Sequence, residues 1–496
     1  MTGLELGETI ALAAIALHVV LGFVATVLVS ANRRPSAAIA WVLTIVFIPF
    51  LGALAFLLVG RSRLPAARRA AQREMNERLA ARVPDAAVRP ADDAWPSWLA
   101  PVVHLNSALG ALPMTAGNRV TLTDDYDGSL ADMTAAIDGA RSFVHVEFYI
   151  LVLDDTTRPF FEAMARAVQR GVTVRVLSDH LAGFLSPRRT ETLAFLAAAG
   201  IAWRAMLPLR PLRGQWRRPD LRNHRKIVVV DGAVGFTGSQ NLIDASYLKK
   251  KNVARGLRWH EVMMRVEGPA VRELDAVFVT DWFSETGDLL PLEVSAPAGG
   301  PRASGGLDAA GAVVVDAQVL PSGPGFDNDN NLKLFAALIH SAQRRVSITS
   351  PYFVPDESVL LAIVTAASRG LDVELFVSEE GDQVLVHHAQ RSYYEALLRA
   401  GVAIWLYPPP TVLHSKHFSV DESVAVVGSS NMDIRSFSLN LEVSVLVHGA
   451  AFVERMRAIE DSYRAASRPL TLDEWLARPV GGKVVDSLSR LTSSLQ

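Results

Sequence analysis

The stretch His224-Arg225-Lys226-Ile227-Val228-Val229-Val230-Asp231, followed by Gly238-Ser239-Gln240-Asn241, occurs a second time in the same chain. The second copy reads His414-Ser415-Lys416-His417-Phe418-Ser419-Val420-Asp421, followed by Gly428-Ser429-Ser430-Asn431. All internal spacings agree: His to Lys two, Lys to Asp five, Asp to Gly seven, Gly to Asn three. The residues between Lys and Asp read as a buried strand, where positions i and i+2 share a face, so His and Lys project together. Gly-Ser-x-Asn after a further apolar run fits a turn that permits close backbone approach, with Ser and Asn donating hydrogen bonds.

Working outward, each copy sits in a larger repeat. Ala136 through Ile150 matches Leu338 through Phe353, a helix end followed by a buried strand. Arg170-Gly171 before VTVRVLSD matches Arg369-Gly370 before LDVELFVSE, and Ala199-Gly200-Ile201 matches Ala400-Gly401-Val402. Several matches in one order mean duplication, and with two copies the expected fold is a pseudo-twofold pair of α/β domains. A shared site would lie at their seam. There two imidazoles, two ammonium groups and two carboxamides would surround a single anion. Neutral imidazole can attack phosphorus, protonated imidazole can give a proton to the departing alkoxide, and the Lys and Asn donors can hold the phosphoryl oxygens. This chemistry requires no metal and no cofactor.

Composition narrows the partners. Lys plus Arg total 49 against 51 acidic residues in 496, so no chain-wide basic field exists to hold nucleic acid. The absence of cysteine excludes disulfides, thiolate metal sites and a cysteine nucleophile. No GxxxxGK[ST] loop is present, and no nucleotide is expected. Asp327-Asn328-Asp329-Asn330-Asn331 lacks the Gly and closing Glu of a calcium loop, and His387-His388 reads as a plain helix face or loop.

The N-terminus differs from the rest. Thr9 to Ser30 is a run of 22 uncharged residues and Ala37 to Gly60 one of 24, each long enough as a helix to cross a bilayer core of about 30 Å. Only Asn32-Arg33-Arg34-Pro35-Ser36 separates them, which predicts a two-span transmembrane hairpin. Arg61, Arg63, Arg68, Arg69 and Arg73 follow the second run, against Arg33 and Arg34 in the loop. That balance puts both hairpin ends, and so everything after residue 60, on the cytoplasmic side of the membrane. The expected organisation is hairpin 1–60, helical connector 61–118, first domain 119–292, linker 293–312, second domain 313–470 and tail 471–496. Val484, Leu488, Leu491 and Leu495 stand at helical spacing in that tail, which fits either the membrane or the domain as its support.

The doubled motif resembles the phospholipase D superfamily, whose signature H-x-K-x(4)-D-x(6)-G-S-x-N both copies match. The resemblance implies two phospholipase D-like α/β/α sandwich domains behind the hairpin. It also implies a catalytic set of His224, Lys226, Asp231, His414, Lys416 and Asp421, with His224 as nucleophile, His414 as acid and base, and the aspartates largely structural. Ser239, Asn241, Ser429 and Asn431 are the candidate substrate-binding residues. Glu261, in Trp259-His260-Glu261 where relatives tend to have Trp-Arg-Asp, and Glu442 are the candidate orienting carboxylates.

Over nearly its full length the chain is similar to bacterial cardiolipin synthases of the two-span type. The segments that carry this are Arg33-Arg34-Pro35 with Trp41, Pro49 and Gly52, Arg222-Asn223-His224, Ser322-Gly323-Pro324, Ser350-Pro351-Tyr352-Phe353-Val354-Pro355, and Asn431 through Asp433 and Arg435-Ser436-Phe437 to Asn440 and Glu442. The implied reaction is phosphatidyl transfer between two phosphatidylglycerol molecules through a phosphohistidine. The eight Arg/Lys between Arg204 and Lys226, interleaved with Trp216, suit an anionic membrane lipid surface. The alternatives are a membrane-anchored phospholipase D hydrolase, another transphosphatidylase, or a tethered nuclease.

Overall fold

The computed structural model describes residues 3–30, 35–60, 64, 69–70, 72, 74–75, 95–210, 218–291, 311–326 and 329–491. The Arg33-Arg34 loop, most of residues 61–94 of the connector, residues 211–217 of the basic stretch, residues 293–310 of the linker, Asp327-Asn328 and Leu495 lie outside the described residues. The chain divides into two compact units, residues 1–63 with 216–220, and residues 64–215 with 221–496.

In the first unit, helix Gly3–Ser30 packs with helices Pro35–Phe47 and Pro49–Val59 around Val29, Ala38, Ile45 and Phe56. Trp41 meets Phe56 edge-on with ring centroids 5.4 Å apart. The second apolar run, expected as one helix, is two. Ile48 takes φ −128° and ψ 73° because the residue before a proline is pushed out of the helical region, and Pro49 opens the next helix where no N–H donor is needed. Leu12, Ile15, Phe23, Ile39, Phe50 and Leu51 face outward and exposed, so the unit is apolar outside as well as inside. Taken over the described residues, no helix is long and apolar enough to cross a membrane.

The second unit is built on one sixteen-stranded sheet, fifteen strands of which run in order through both halves while Arg222–Asn223 pairs off that path with Asn440–His448. Its middle is the antiparallel pair Thr115–Thr123 and Val313–Ser322. Outward from the first of these come Met263–Glu267, Val234–Gly238, Lys226–Val230, Phe143–Phe148, Thr173–Asp179 and Ala202–Met206. Outward from the second come Asn440–His448, Val424–Gly428, His417–Val420, Arg345–Thr349, Asp372–Ser378, Ala403–Tyr407 and Arg468–Leu470. The halves correspond strand for strand, as the duplication predicts, except that the second carries the extra edge strand Arg468–Leu470. The motif strands hold the same place in each, Val146 opposite Val228 and Ile348 opposite Phe418. Buried on both faces, they read as near-continuous apolar runs rather than alternating ones.

Helices cover both faces. In the first half Met133, Ile137, Phe160 and Phe161 pack on one side of the sheet. Helices Pro269–Thr286 and Ala450–Ala466 share a core on the other, where Leu274 and Val277 join Phe452 and Met456. That core draws on Val120 and Val266 from one half and on Val315 and Val445 from the other, so the seam is packed like an interior. Arg225 crosses it fully buried: Nε donates to the Glu442 carbonyl at 3.0 Å and the guanidinium pairs with Asp281.

Candidate active site

The two histidines reach the seam by the same device. The short strand Arg222–Asn223 pairs in parallel with Asn440–His448, and the His224 N–H then donates to the Leu441 carbonyl at 2.8 Å. Thr411–Leu413 pairs in parallel with Arg258–His260, and the His414 N–H donates to the His260 carbonyl at 2.8 Å. Each histidine is therefore stitched to the other half, beside that half's glutamate. His224 Nδ1 lies 3.1 Å from Glu442 Oε2 and 3.0 Å from the Ser429 carbonyl. His414 Nδ1 lies 2.7 Å from Glu261 Oε1. Because Nδ1 of each ring faces a carboxylate, it carries the proton; the Nε2 lone pair of His224 is left for chemistry, while that of His414 lies 3.2 Å from Lys416 Nζ. The pairing is crossed: each half supplies the carboxylate that orients the other half's histidine.

Burial sets the charges. It lowers the His224 pKa to about 4, with Lys226 adding to the shift and Glu442 opposing it. His414 is lowered too, by burial first and Lys416 next, against Glu261. Lys226 falls to about 7 through burial and the nearby charge of Lys416, and Lys416 falls to about 8, mainly through burial. Burial pushes Glu261 and Glu442 upward, yet the facing histidine and lysine hold both below the usual carboxylate range. Below about pH 7, two cations and two anions thus balance around two neutral imidazoles. Each lysine is fixed by donating from Nζ to the carbonyl of its own motif histidine, at 2.6 Å in both copies.

Above them opens a cavity of about 1040 Å³, mouth included, lined by His224, His414, Asn241 and Asn431 among others. The structure brings together both histidines and both asparagines there, with the lysines beside them. Two pairs go elsewhere. Ser239 Oγ accepts from the Val262 N–H at 2.9 Å, and Ser429 Oγ donates to Glu442 Oε2 at 2.5 Å. Both serines, expected to bind substrate, bond the glutamate segments and are not among the residues that line the cavity.

Asp231 and Asp421, expected to be largely structural, are likewise not among the residues that line the cavity. Asp231, at φ 53°, accepts from the backbone N–H groups of Arg141, Ser142 and Phe143 at 2.8 Å each. Asp421, at φ 51°, does the same for Gln343, Arg344 and Arg345 at 2.8–3.1 Å. Each ties the motif hairpin to the start of the neighbouring strand, in a left-handed conformation that Asp tolerates better than most residues. Asp231→Ala is expected to lower stability by about 2 kcal/mol, since it removes a charged acceptor from three N–H groups, of which that of Phe143 is partly buried. Turnover per folded molecule stays near wild type. Thermal unfolding in detergent beside active-site-normalised rates checks this.

The comparisons with known proteins agree with the fold. A family model described as "Cardiolipin synthase, PLD-like domain" matches residues 133–282 and 335–462, and one described as "Phospholipase_D-nuclease N-terminal" matches residues 11–61. The chain is 32% identical to "Cardiolipin synthase A" of Proteus mirabilis (strain HI4320), over 94% of each chain. It is also 32% identical to "Cardiolipin synthase" of Geobacillus thermodenitrificans (strain NG80-2), over 95% of this chain and 91% of that one. The chain belongs to the cardiolipin synthase family. Among solved structures, phosphatidylserine synthase from Haemophilus influenzae Rd KW20 shares the fold, with a TM-score of 0.59 at 15% identity over 79% of this chain and 99% of that one.

In this family member several cavity residues carry no spaced motif. Tyr149 stands edge-on to His224 at 4.9 Å between ring centroids, and Tyr352 to His414 at 6.0 Å. The two tyrosines follow matched strands, so aligning Tyr149-Ile150 with Tyr352-Phe353 was the signal that could have found them. Tyr247 has no such signal. It accepts from Asn241 Nδ2 at 2.8 Å and donates to Glu261 Oε1 at 3.1 Å, linking a cavity amide to the carboxylate behind His414. Arg222 lines the cavity and is held from behind by Asp179, 2.9 Å from its guanidinium. His388 bonds Asp486 at 2.7 Å, and among the described residues no group of three or more His, Asp or Glu is placed to hold a metal ion.

Proposed function

We propose that the chain is a cardiolipin synthase in which His224 and His414 pass a phosphatidyl group from one phosphatidylglycerol to another. The observation that carries this is the pair of crossed His–Glu contacts opening onto one cavity. His224 Nε2 attacks the phosphorus of the first lipid, an N–P bond forms and the P–O bond to glycerol breaks. His414 gives the leaving oxygen its proton. The hydroxyl of the second phosphatidylglycerol then yields its proton to His414 and attacks phosphorus, and the N–P bond breaks. The products are cardiolipin and glycerol. One phosphodiester replaces another, so no nucleotide is consumed.

The resting charge balance explains why the proton is available. An arriving phosphodiester adds one negative charge beside two lysines and two neutral imidazoles, and so favours a proton on one ring. His414 is assigned that proton because its carboxylate contact is the shorter, 2.7 Å to Glu261 against 3.1 Å from His224 to Glu442, which leaves His224 its lone pair. Lys226, Lys416, Asn241 and Asn431 hold the non-bridging oxygens as charge shifts. A member of this family works on phospholipid at a membrane. The hairpin as a two-span anchor, with the catalytic halves on the cytoplasmic side of a bacterial inner membrane, is supported by the uncharged runs and the arginine balance around them.

The test uses full-length protein in vesicles with phosphatidylglycerol as sole lipid and a chelator present. Cardiolipin and free glycerol in equal amounts are expected. Phosphatidic acid without cardiolipin overturns the transferase reading in favour of a hydrolase.

A pH dependence follows from the lysines. Their lowered pKa values mean that the charge that binds phosphate is lost as pH rises through about 7 and 8. kcat/KM, which reports the free enzyme, is expected to fall across that range. The bound anion restores both lysine pKa values upward, so the falling limb of kcat lies at higher pH. Paired profiles of kcat and kcat/KM check it, and coincident limbs contradict it.

A further inference from the structure

The C-terminal helix Val480–Arg490 is amphipathic the wrong way round for a helix that merely packs on its domain. Its apolar stripe, Val480, Val484 and Leu488 with Leu491 just beyond, is exposed, between 49% and 78%. Its buried residues are polar, Asp486 and Ser489. Asp486 is turned inward to a basic nest, 2.7 Å from His388 Nδ1, 2.8 Å from Arg478 and 3.6 Å from Arg391. The inward-facing polar side is thus fully engaged, and the apolar stripe is what faces water.

The helix packs against Val384–Arg391, which carries two further exposed apolar side chains, Val384 and Leu385, at 62% and 59%. The same segment borders the active site, for Gln383 and Val386 line the cavity. The first half repeats the feature. Its helix His180–Leu185 begins at Asp179, which holds the cavity residue Arg222, and ends in exposed Phe184 and Leu185. Charge agrees with apolarity. Asp486 is the one acid on the two packed helices and is hidden, while Arg490 is exposed and Lys483 half-buried on the stripe's helix.

We propose that the paired helices Val384–Arg391 and Val480–Arg490 seat on the surface of an anionic phospholipid bilayer, with the apolar stripe among the acyl-chain ends of the headgroups and the basic side chains at the phosphates. This rests on the phosphatidyl-transfer reading and deepens it. A substrate whose acyl chains stay in the bilayer can present its phosphate to a cavity only if the cavity mouth lies at headgroup level, and these helices fix it there.

The chain has no cysteine, so a single labelled cysteine reports one place only. An environment-sensitive fluorophore is attached to full-length protein at Leu488→Cys, at Leu385→Cys and, as control, at exposed Gln169→Cys on helix Arg158–Gln169. All carry His224→Ala, so the reading needs no turnover and stands apart from whether cardiolipin is made. On vesicles containing phosphatidylglycerol, blue-shifted emission and quenching by spin-labelled lipid are expected at positions 488 and 385 and not at 169. Emission unchanged on vesicles overturns the proposal. So does an equal response on purely zwitterionic vesicles, and so does a shift that grows with protein concentration without lipid, which would assign the face to a second copy. In the active protein, Val484→Asn with Leu488→Asn is expected to raise KM on vesicles about tenfold or more at unchanged kcat. Rates on detergent-dispersed short-chain lipid stay unchanged, which separates lipid docking from misfolding.

Discussion

His224→Ala and His414→Ala are each expected to reduce cardiolipin formation by about 10³- to 10⁴-fold, and the double variant by little more, because the two rings act in one sequence of steps. What separates them is the leaving group. A phosphatidyl ester of p-nitrophenol leaves without a proton, so His414→Ala should release about one equivalent of nitrophenolate in a burst. The phosphatidyl group then stays on the protein, because nothing activates the acceptor. Mass spectrometry of the quenched protein is expected to find it on the peptide holding His224. His224→Ala should show no burst. A modified His414 in place of His224 would reverse the assigned order. The geometry favours the stated one, because His414 has the shorter carboxylate contact, 2.7 Å against 3.1 Å for His224.

Glu261→Gln and Glu442→Gln are expected to lower turnover of phosphatidylglycerol by about 10²- to 10⁴-fold, since an amide stabilises neither the imidazolium nor the required tautomer. The crossed contacts make the two distinguishable. Glu261 lies in the first half but serves His414, the proton donor. Its loss should be largely rescued by the nitrophenyl ester, which needs no donor. Glu442 lies in the second half but serves His224, the nucleophile, and its loss should persist with either substrate. If each glutamate served its own half, the rescue pattern would be inverted. Measuring both substrates on both variants decides it, and the ratio of the two rates is insensitive to any shared loss of folded protein.

Much of this was legible in the sequence because the duplication wrote it twice. Identical spacing in the two motifs sufficed to expect paired α/β halves with a seam site, and the strand-by-strand match across one sheet bears out the fold. The crossed pairing was not legible. Which glutamate meets which histidine depends on the parallel bridges Arg222–Asn223 to Asn440–His448 and Thr411–Leu413 to Arg258–His260, and two- or three-residue strands leave no periodic trace. Ser239 and Ser429 misled for a related reason. A hydroxyl beside a glycine turn can face the substrate or the backbone, and only the approach of Val262 and Glu442 decides. The break at Ile48 could have been read from Pro49 within the second apolar run. The outward stripe of the C-terminal helix could not, because hydrophobic spacing identifies a face but not the side on which the protein lies.

The crossed contacts also govern when the enzyme comes into being. A chain emerging from the ribosome can pair the strands of its first half early, yet His224 then has no carboxylate and Glu261 no histidine. Both gaps close only after residues 414 and 442 have been delivered, late in synthesis. A nascent or prematurely terminated chain is therefore inert toward the phospholipids around it, however well its first half has folded. For a protein made beside the molecules it can cut, the order of translation serves as a safety catch.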